Sequence, residues 1–272
     1  MDYLYHYTSI EDLALILKYR AIKLNSLTQM DDLQENMTAD VKDIGRFVFI
    51  SAWTSEEAES IPMWMMYSEP EAGVRIKLKK NPFVFHNTRL RDLANVPGLK
   101  LPEDADMNQV LPTFLDLAWL MKHKCYSFQA LDGDILEEII YTDDTSKLEP
   151  KISVMFGDRR TIRMGPVGKY KSTYWAFQKE YRYIMNFMSM DFSVGETEIN
   201  KIFDENVNRM LEGHQEPPFK HFYLDIEKSA FEEMEILLSP QLTLGNRLLL
   251  ESIVEKYNPK AKLSESALLG KI

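Results

Sequence analysis

Residues 5–9, with the sequence Tyr-His-Tyr-Thr-Ser, bring a titratable imidazole, two phenols and two hydroxyls into one short stretch. The alternation of tyrosine with other side chains is typical of a β-strand. Thr8 and Glu11 then have the spacing of a capping box, which predicts that a helix begins there. Because free N–H groups at a helix N-terminus attract anions, the turn after His6 is a candidate phosphate-binding site. The alternative is a histidine that forms hydrogen bonds within a core of packed tyrosines.

A second group capable of chemistry is Glu180, which stands between an aromatic stretch at 174–177 and an alternating stretch at 181–187. The alternation predicts a strand on which Arg182 faces one way and its neighbours face the other. A carboxylate at the start of such a strand can project into a cleft. The alternative is an exposed Glu180–Arg182 ion pair, which would contribute little to stability.

Two segments between these groups supply further candidates. Residues 47–53 form a nearly continuous apolar run, which predicts a buried strand with Ser51 near its end. A proline suited to the first turn of a helix opens the next segment, where Trp64 and Tyr67 would share one helix face. That face is either part of the core or the aromatic wall of a ligand pocket.

Three carboxylates, Asp31, Asp32 and Glu35, lie within five positions of one another. Oxygen ligands of this kind can hold a cation. The segment lacks the glycine and the regular ligand spacing of a calcium loop, so a solvated helix start is the other interpretation.

The composition excludes several classes of protein. With 272 residues and a formal net charge of −10, the chain is too acidic for a nucleic-acid coat, which needs clustered basic side chains. The single cysteine, Cys125, excludes an intramolecular disulfide and suits a reducing compartment. The five histidines show no metal-ligand spacing, no apolar run is long enough to span a membrane, and the first residues are not typical of a signal peptide. We therefore expect a cytoplasmic protein with no bound metal and no membrane partner.

The predicted fold is a single α+β domain over residues 1–272, with a central mainly antiparallel or mixed sheet flanked by helices. The core strands are expected at 3–7, 47–51, 74–78 and 181–187. A partly helical insertion or lid is expected at about 87–131, where prolines interrupt the pattern.

Several motifs, taken in order, resemble a bacterial family catalogued as domain of unknown function 2971. They are the Tyr-His-Tyr-Thr-Ser stretch at 5–9, the acidic turn at 31–35, the strand at 49–53, the Pro-Met-Trp at 62–64 with Tyr67, and the Phe-Gln-Lys-Glu-Tyr-Arg at 177–182. The resemblance covers most of the chain and is weakest at 83–131. One departure is Asp31-Asp32, where that family more often has Asn-Asp. The family has no agreed activity, so the resemblance implies a fold and a site more than a reaction.

A more distant resemblance, to ADP-ribosyltransferases, implies chemistry. In that superfamily a first-strand histidine or arginine grips NAD, aromatic rings stack on the nicotinamide and a late glutamate drives transfer. Carried onto this chain, His6 donates to the ribose, Thr8 lies near phosphate, and Trp64 or Tyr67 stacks on the cationic ring. Glu180 stabilises the oxocarbenium-like centre.

The complete predicted site has one catalytic residue, Glu180, and a set of ligand-binding residues: His6, Tyr7, Thr8, Ser51, Trp64, Tyr67 and Arg182. Two functions follow. The first is an NAD-consuming ADP-ribosyltransferase or NAD glycohydrolase, acting on a protein or nucleic acid in a role such as defence against phage. The second is a non-catalytic ligand-binding or sensor module with the same pocket. In the first case, Glu180→Gln should abolish turnover and leave folding and binding nearly intact.

Overall fold

The computed structural model describes residues 2–93, 104–127, 134–192 and 196–272. Within these ranges, ten strands form one sheet, and three small two-stranded sheets lie outside it. Most strand pairs of the large sheet are antiparallel, and one pair near the C-terminus is parallel. The predicted α+β class with a mixed sheet is therefore confirmed.

The strands are, in chain order, β1 (Tyr3–Ser9), β2 (Ala21–Ser26), β3 (Val48–Thr54), β4 (Gly73–Lys79), β5 (His86–Arg89), β6 (Val110–Thr113), β7 (Cys125–Ser127), β8 (Leu136–Glu138), β9 (Ile140–Tyr141), β10 (Ser153–Phe156), β11 (Arg159–Ile162), β12 (Tyr170–Lys171), β13 (Glu180–Ser189), β14 (His221–Asp225), β15 (Glu235–Leu238) and β16 (Lys262–Ser264). The α-helices are α1 (Ile10–Tyr19), α2 (Ile61–Tyr67), α3 (Leu90–Leu93), α4 (Leu117–Lys122), α5 (Thr145–Leu148), α6 (Glu196–Leu211), α7 (Lys228–Glu232) and α8 (Leu244–Tyr257). Short 3-10 helices occupy Leu27–Gln29, Leu33–Asn36, Ile44–Phe47 and Thr173–Gln178.

Helix α1 begins one residue later than the capping-box prediction. Strand β1 stays paired with β4 as far as Ser9, which lies opposite Gly73. The Ser9 side chain, and not that of Thr8, accepts the hydrogen bond from the Asp12 backbone N–H, at 3.1 Å. The helix starts only where the ladder ends, because the N-cap residue must have a non-helical backbone.

Strand β3 has one fully paired edge and one split edge. Along the first edge it pairs with β13 from Thr54 to Val48. On the second edge, β1 pairs at Thr54 and β2 pairs at Ile50 and Phe49. The two strands joined by α1 thus leave β3 at opposite ends of that edge, and residues 51–53 face a gap between them. The candidate functional site lies at this gap.

The register assigns side chains to the two faces of the sheet. Tyr5, Thr54 and Glu180 lie opposite one another across three strands, so they share a face. Alternation puts His6 on the other face, the one that packs into the largest core cluster with Leu4, Leu13, Phe49, Ile76 and Leu250. A second cluster includes Val48, Ile50 and Ile184 from the sheet and Val207 from α6.

The four predicted core strands all belong to the large sheet, as β1, β3, β4 and β13. The apolar run at 231–239 predicts one further strand, and the first part of that prediction is wrong. Glu227 caps the N–H groups of Ser229 and Ala230, so α7 extends to Glu232 and only β15 is a strand. The described residues of the predicted insertion form β5, α3, β6, α4 and β7, and residues 94–103 and 128–133 lie outside the described ranges.

The sheet joins β1, near one end of the chain, to β16, near the other. The single-domain assignment for the whole chain stays a prediction. Across the ranges that the structure describes, every helix is too short or too polar to cross a bilayer.

Candidate functional site

A pocket of about 100 Å³ lies where β1, β3 and β13 meet α2. Its wall is mostly aromatic and thioether, and its floor is charged. The residues that line it are Tyr5, His6, Tyr7, Met30, Asp31, Ala52, Trp53, Met63, Tyr67, Lys171, Gln178, Glu180 and Arg182.

A larger groove of about 800 Å³ continues from this pocket between α1, β2 and β14. The two cavities share the following lining residues: His6, Met30, Asp31, Ala52 and Tyr67. The groove also has polar groups along its walls. They come from Thr8 on β1, Asp12 on α1, and Lys23 and Asn25 on β2. Because β1 and β2 diverge along the edge of β3, the cavities connect through the gap between these strands.

The charged floor of the pocket is a buried network of four side chains, two basic and two acidic. Arg182 is fully buried and holds Glu180 in a fork, with Nε at 2.5 Å from Oε1 and Nη2 at 3.1 Å from Oε2. Lys171 Nζ lies 3.0 Å from Glu180 Oε2 and 3.0 Å from Glu35 Oε1. Glu35 also forms an ion pair with Arg182 Nη1. Two cations and two carboxylates leave the network with no net charge.

The network keeps Glu180 ionised. Burial raises the pKa of this carboxyl, but the nearby charges of Arg182 and Lys171 outweigh burial, and the pKa lies below its ordinary value. Burial likewise disfavours the charged form of Arg182, and its two carboxylate partners more than restore it, so its pKa is raised. The predicted Glu180–Arg182 pair is thus real, but it is buried and not exposed.

His6 has its Nδ1 atom 2.8 Å from the carbonyl oxygen of Ala52. A carbonyl oxygen only accepts, so Nδ1 carries the proton. Burial lowers the pKa of His6, against the opposing effects of this hydrogen bond and of Asp12, so the ring is neutral at neutral pH. Its Nε2 atom then has a free lone pair and can only accept. In this tautomer His6 would accept from a ribose hydroxyl at Nε2, and the expectation that it donates to a ribose stays a prediction.

His6 and Glu180 lie on opposite faces of the sheet by register, yet both line the same pocket. The gap beside residues 51–53 explains this. The imidazole turns into the gap to reach Ala52 and lies 5.0 Å from the Trp53 ring centroid, so it is accessible from both cavities.

Tyr67 borders both cavities, and its hydroxyl forms a short hydrogen bond with the Gln178 side-chain amide. Burial is the main reason why the Tyr67 pKa is raised, and Asp31 and Glu180 add to it. A second phenol, that of Tyr141, accepts from the Glu180 backbone N–H at 2.9 Å. Both phenols are neutral, and they fix the segment that carries Glu180.

Trp64 does not form a wall of either cavity, which corrects the prediction. It is only 1% exposed and packs edge-on behind Tyr7, with ring centroids 4.9 Å apart. Its Nε1 donates to Glu59 at 3.0 Å. The short helix α2 points both Trp64 and Met63 inwards, and Tyr67, one turn later, reaches the cavity.

The structure brings seven of the eight predicted residues to the two connected cavities: His6, Tyr7, Thr8, Ser51, Tyr67, Glu180 and Arg182. Sequence reasoning missed Lys171 and Gln178, and it did not connect Glu35 to the site. The buried Glu35 could have been paired with Arg182 only by knowing that the segment after β2 folds beneath β13. Lys171 and Gln178 carry no signal beyond their closeness to Glu180 in sequence.

The cluster Asp31, Asp32 and Glu35 does not act as a unit. Glu35 points into the ion network, Asp32 caps the 3-10 helix that follows it, and Asp31 lines both cavities. Within the described residues, no group of three or more His, Cys, Asp and Glu side chains is arranged to hold a metal ion.

Comparison of the chain with protein-family models, curated proteins and solved structures gave no significant match. The resemblances to domain of unknown function 2971 and to ADP-ribosyltransferases therefore stay predictions.

Proposed function

We propose that the connected cavities bind NAD as a substrate and that Glu180 promotes cleavage of its nicotinamide–ribose bond. The observation that carries the proposal is that a neutral histidine, an ionised glutamate and three tyrosine rings line one pocket. The adjoining groove of about 800 Å³ falls in the range of small-molecule sites and offers room for the rest of a dinucleotide.

Each residue has a role that its environment supports. The phenol ring of Tyr67 offers a face to the cationic nicotinamide ring, and Tyr5 and Tyr7 complete the aromatic wall. His6 Nε2 accepts a hydrogen bond from a ribose hydroxyl. As the bond to nicotinamide breaks, its electron pair leaves with the neutral ring, and positive charge develops on the ribose. Glu180 stabilises that charge, and water or a target nucleophile completes the reaction by attacking the ribose carbon and releasing a proton.

The hydrogen bonds of Glu180 leave room for this role. A carboxylate has about four acceptor sites. Arg182 occupies one site on each oxygen, and Lys171 occupies another on Oε2. Among the residues that the structure describes, no second donor reaches Oε1, so one of its acceptor sites is open to a substrate hydroxyl.

A second candidate function is binding without catalysis, and one observation favours it. The charge of Glu180 is already balanced by Arg182 and Lys171, which are buried with it. A balanced carboxylate stabilises a developing cation less than an unpaired one does. The same pocket could then serve as a nucleotide sensor.

The test is an assay for nicotinamide release from NAD, combined with a direct binding measurement. The informative variant is the double change Glu180→Gln with Lys171→Met, because it removes one charge of each sign and keeps the network neutral. The matched control is Lys171→Met alone, which retains the carboxylate. Circular dichroism establishes that each variant is folded.

We expect the double variant to bind NAD and to release nicotinamide on the order of a hundredfold more slowly than the control. Binding of NAD with no release by the unaltered protein would favour the sensor. Equal rates in the double variant and the control would remove Glu180 from the chemistry. Absence of NAD binding by the unaltered protein would overturn the proposal.

A further inference from the structure

The carboxylate of Glu59 joins two distant parts of the chain. Its Oε2 accepts from Trp64 Nε1 at 3.0 Å and from Ser266 Oγ at 2.5 Å, and its Oε1 accepts from the Ala267 backbone N–H at 2.6 Å. Hydrogen bonds to a charged acceptor are stronger than those to a neutral one. One side chain therefore fastens the C-terminal segment, residues 265–272, to the helix α2.

Apolar contact supports the same junction. Leu268 packs against a small buried cluster formed by Tyr7, Met63 and Trp64. The Ser266 hydroxyl also accepts from the Leu268 backbone N–H, at 2.9 Å. This hydrogen bond stabilises the turn that places Leu268 against the cluster. The C-terminal segment thus covers the side of α2 that faces β1.

Helix α2 needs such support because it has only seven residues. Isolated helices of this length are unstable, so packing and caps must hold it. The Ser60 side chain caps its first turn, and the Ser60 backbone N–H donates to the Tyr7 hydroxyl at 3.1 Å. Its outer residues, Met65 and Met66, are exposed.

The position of α2 matters because two of its residues, Met63 and Tyr67, line the pocket. We propose that Glu59 is a positioning residue, through which the C-terminal segment holds α2 and sets the wall of the pocket. Glu59 itself lines neither cavity and acts through Trp64 and the segment. This inference does not depend on the identity of the ligand.

The test is hydrogen exchange of the full-length, ligand-free protein, comparing the amides of α2 with those of β13. The variants are Glu59→Ala, Glu59→Gln and a chain ending at Ser264. The matched control is Glu57→Ala, in the same loop, because within the described residues the Glu57 side chain makes no hydrogen bond. NAD affinity is measured on the same proteins as a second readout.

Loss of a charged hydrogen bond costs about 1.5–3 kcal/mol, so we expect exchange in α2 to rise by roughly ten- to a hundredfold in Glu59→Ala and in the shortened chain. Glu59→Gln, which retains an acceptor oxygen, should give a smaller rise, and β13 should be unaffected. NAD affinity should fall in the same order as α2 exchange rises.

Unaltered exchange in α2 would overturn the inference, and so would an equal rise in β13, since that would mean general destabilisation. If the unaltered protein does not bind NAD, the proposed function fails and the exchange result still decides the role of Glu59.

Discussion

Glu35 and Arg182 form a buried ion pair between the 3-10 helix at Leu33–Asn36 and the third residue of β13. Their side chains are 1% and 0% exposed, so neither can find a replacement partner in water. The pair closes the network that also holds Glu180 and Lys171 beneath the pocket. Stability and the candidate chemistry therefore depend on the same four side chains.

The first prediction concerns Glu180→Gln, which should destabilise the protein strongly. The change leaves Lys171 and Arg182 with only Glu35 to balance them, and removing one partner of a buried ion pair commonly costs about 3–5 kcal/mol. This predicted loss of stability replaces the expectation from sequence that the variant stays folded with nearly unchanged stability. The measurement is the free energy of unfolding in urea.

Its control is Glu233→Gln, which removes one partner of an exposed ion pair with Lys79 and should cost less than about 1 kcal/mol. The added change Lys171→Met should restore much of the lost stability. A Glu180→Gln protein as stable as the control would contradict the network.

The second prediction separates two carboxylates that lie close together in sequence. Glu35→Gln should lower the free energy of unfolding by about 3–5 kcal/mol, because Glu35 is buried against Arg182 and Lys171. Asp31→Asn, at an exposed position, should change it by less than about 0.5 kcal/mol. The measurement is denaturant unfolding. Similar effects in both variants would contradict the placement of Glu35 in the buried ion network.

The third prediction concerns pH and His6. Burial lowers the pKa of its imidazole, so between the folded and unfolded pKa values the unfolded chain binds more protons. The contribution of neutral His6 to stability is therefore fully present above the unfolded value of about 6.5 and is lost as the pH falls below it. His6→Asn, whose amide N–H can still reach Ala52, should make melting temperature depend less steeply on pH.

The measurement is melting temperature between about pH 8 and about pH 5, the range in which histidines commonly titrate. His86→Asn, at an exposed position, serves as the control and should keep the slope of the unaltered protein. Identical slopes for all three proteins would show that His6 is not held in its neutral form.

The fourth prediction distinguishes a core aromatic residue from a wall residue. Trp64→Ala should cost about 3–5 kcal/mol in the free energy of unfolding, because the ring is fully buried and bonded to Glu59. Tyr67→Phe removes only the hydroxyl bonded to Gln178, so a cost of about 1–3 kcal/mol is expected. Denaturant unfolding of the two variants tests which loss of stability is larger. A larger loss in Tyr67→Phe would contradict the assignment of Trp64 to the core and of Tyr67 to the cavity wall.

The sequence by itself determined the local elements and many of the site residues. Alternation and apolar runs predicted β1, β3, β4 and β13, because side chains of a strand alternate between two faces whatever the strand pairs with. Residue type alone identified His6 and Glu180 as groups that could do chemistry, and their positions near strand ends suggested a cleft.

Only the tertiary structure decided what those groups can do. At the split edge of β3, His6 donates from Nδ1 to the Ala52 carbonyl and keeps Nε2 as an acceptor, and the fold beneath β13 surrounds Glu180 with Arg182 and Lys171. Local spacing determines which way a side chain leaves its own strand. The charge state and the free lone pairs of that side chain depend on burial and on partners brought from distant positions, which no local pattern specifies.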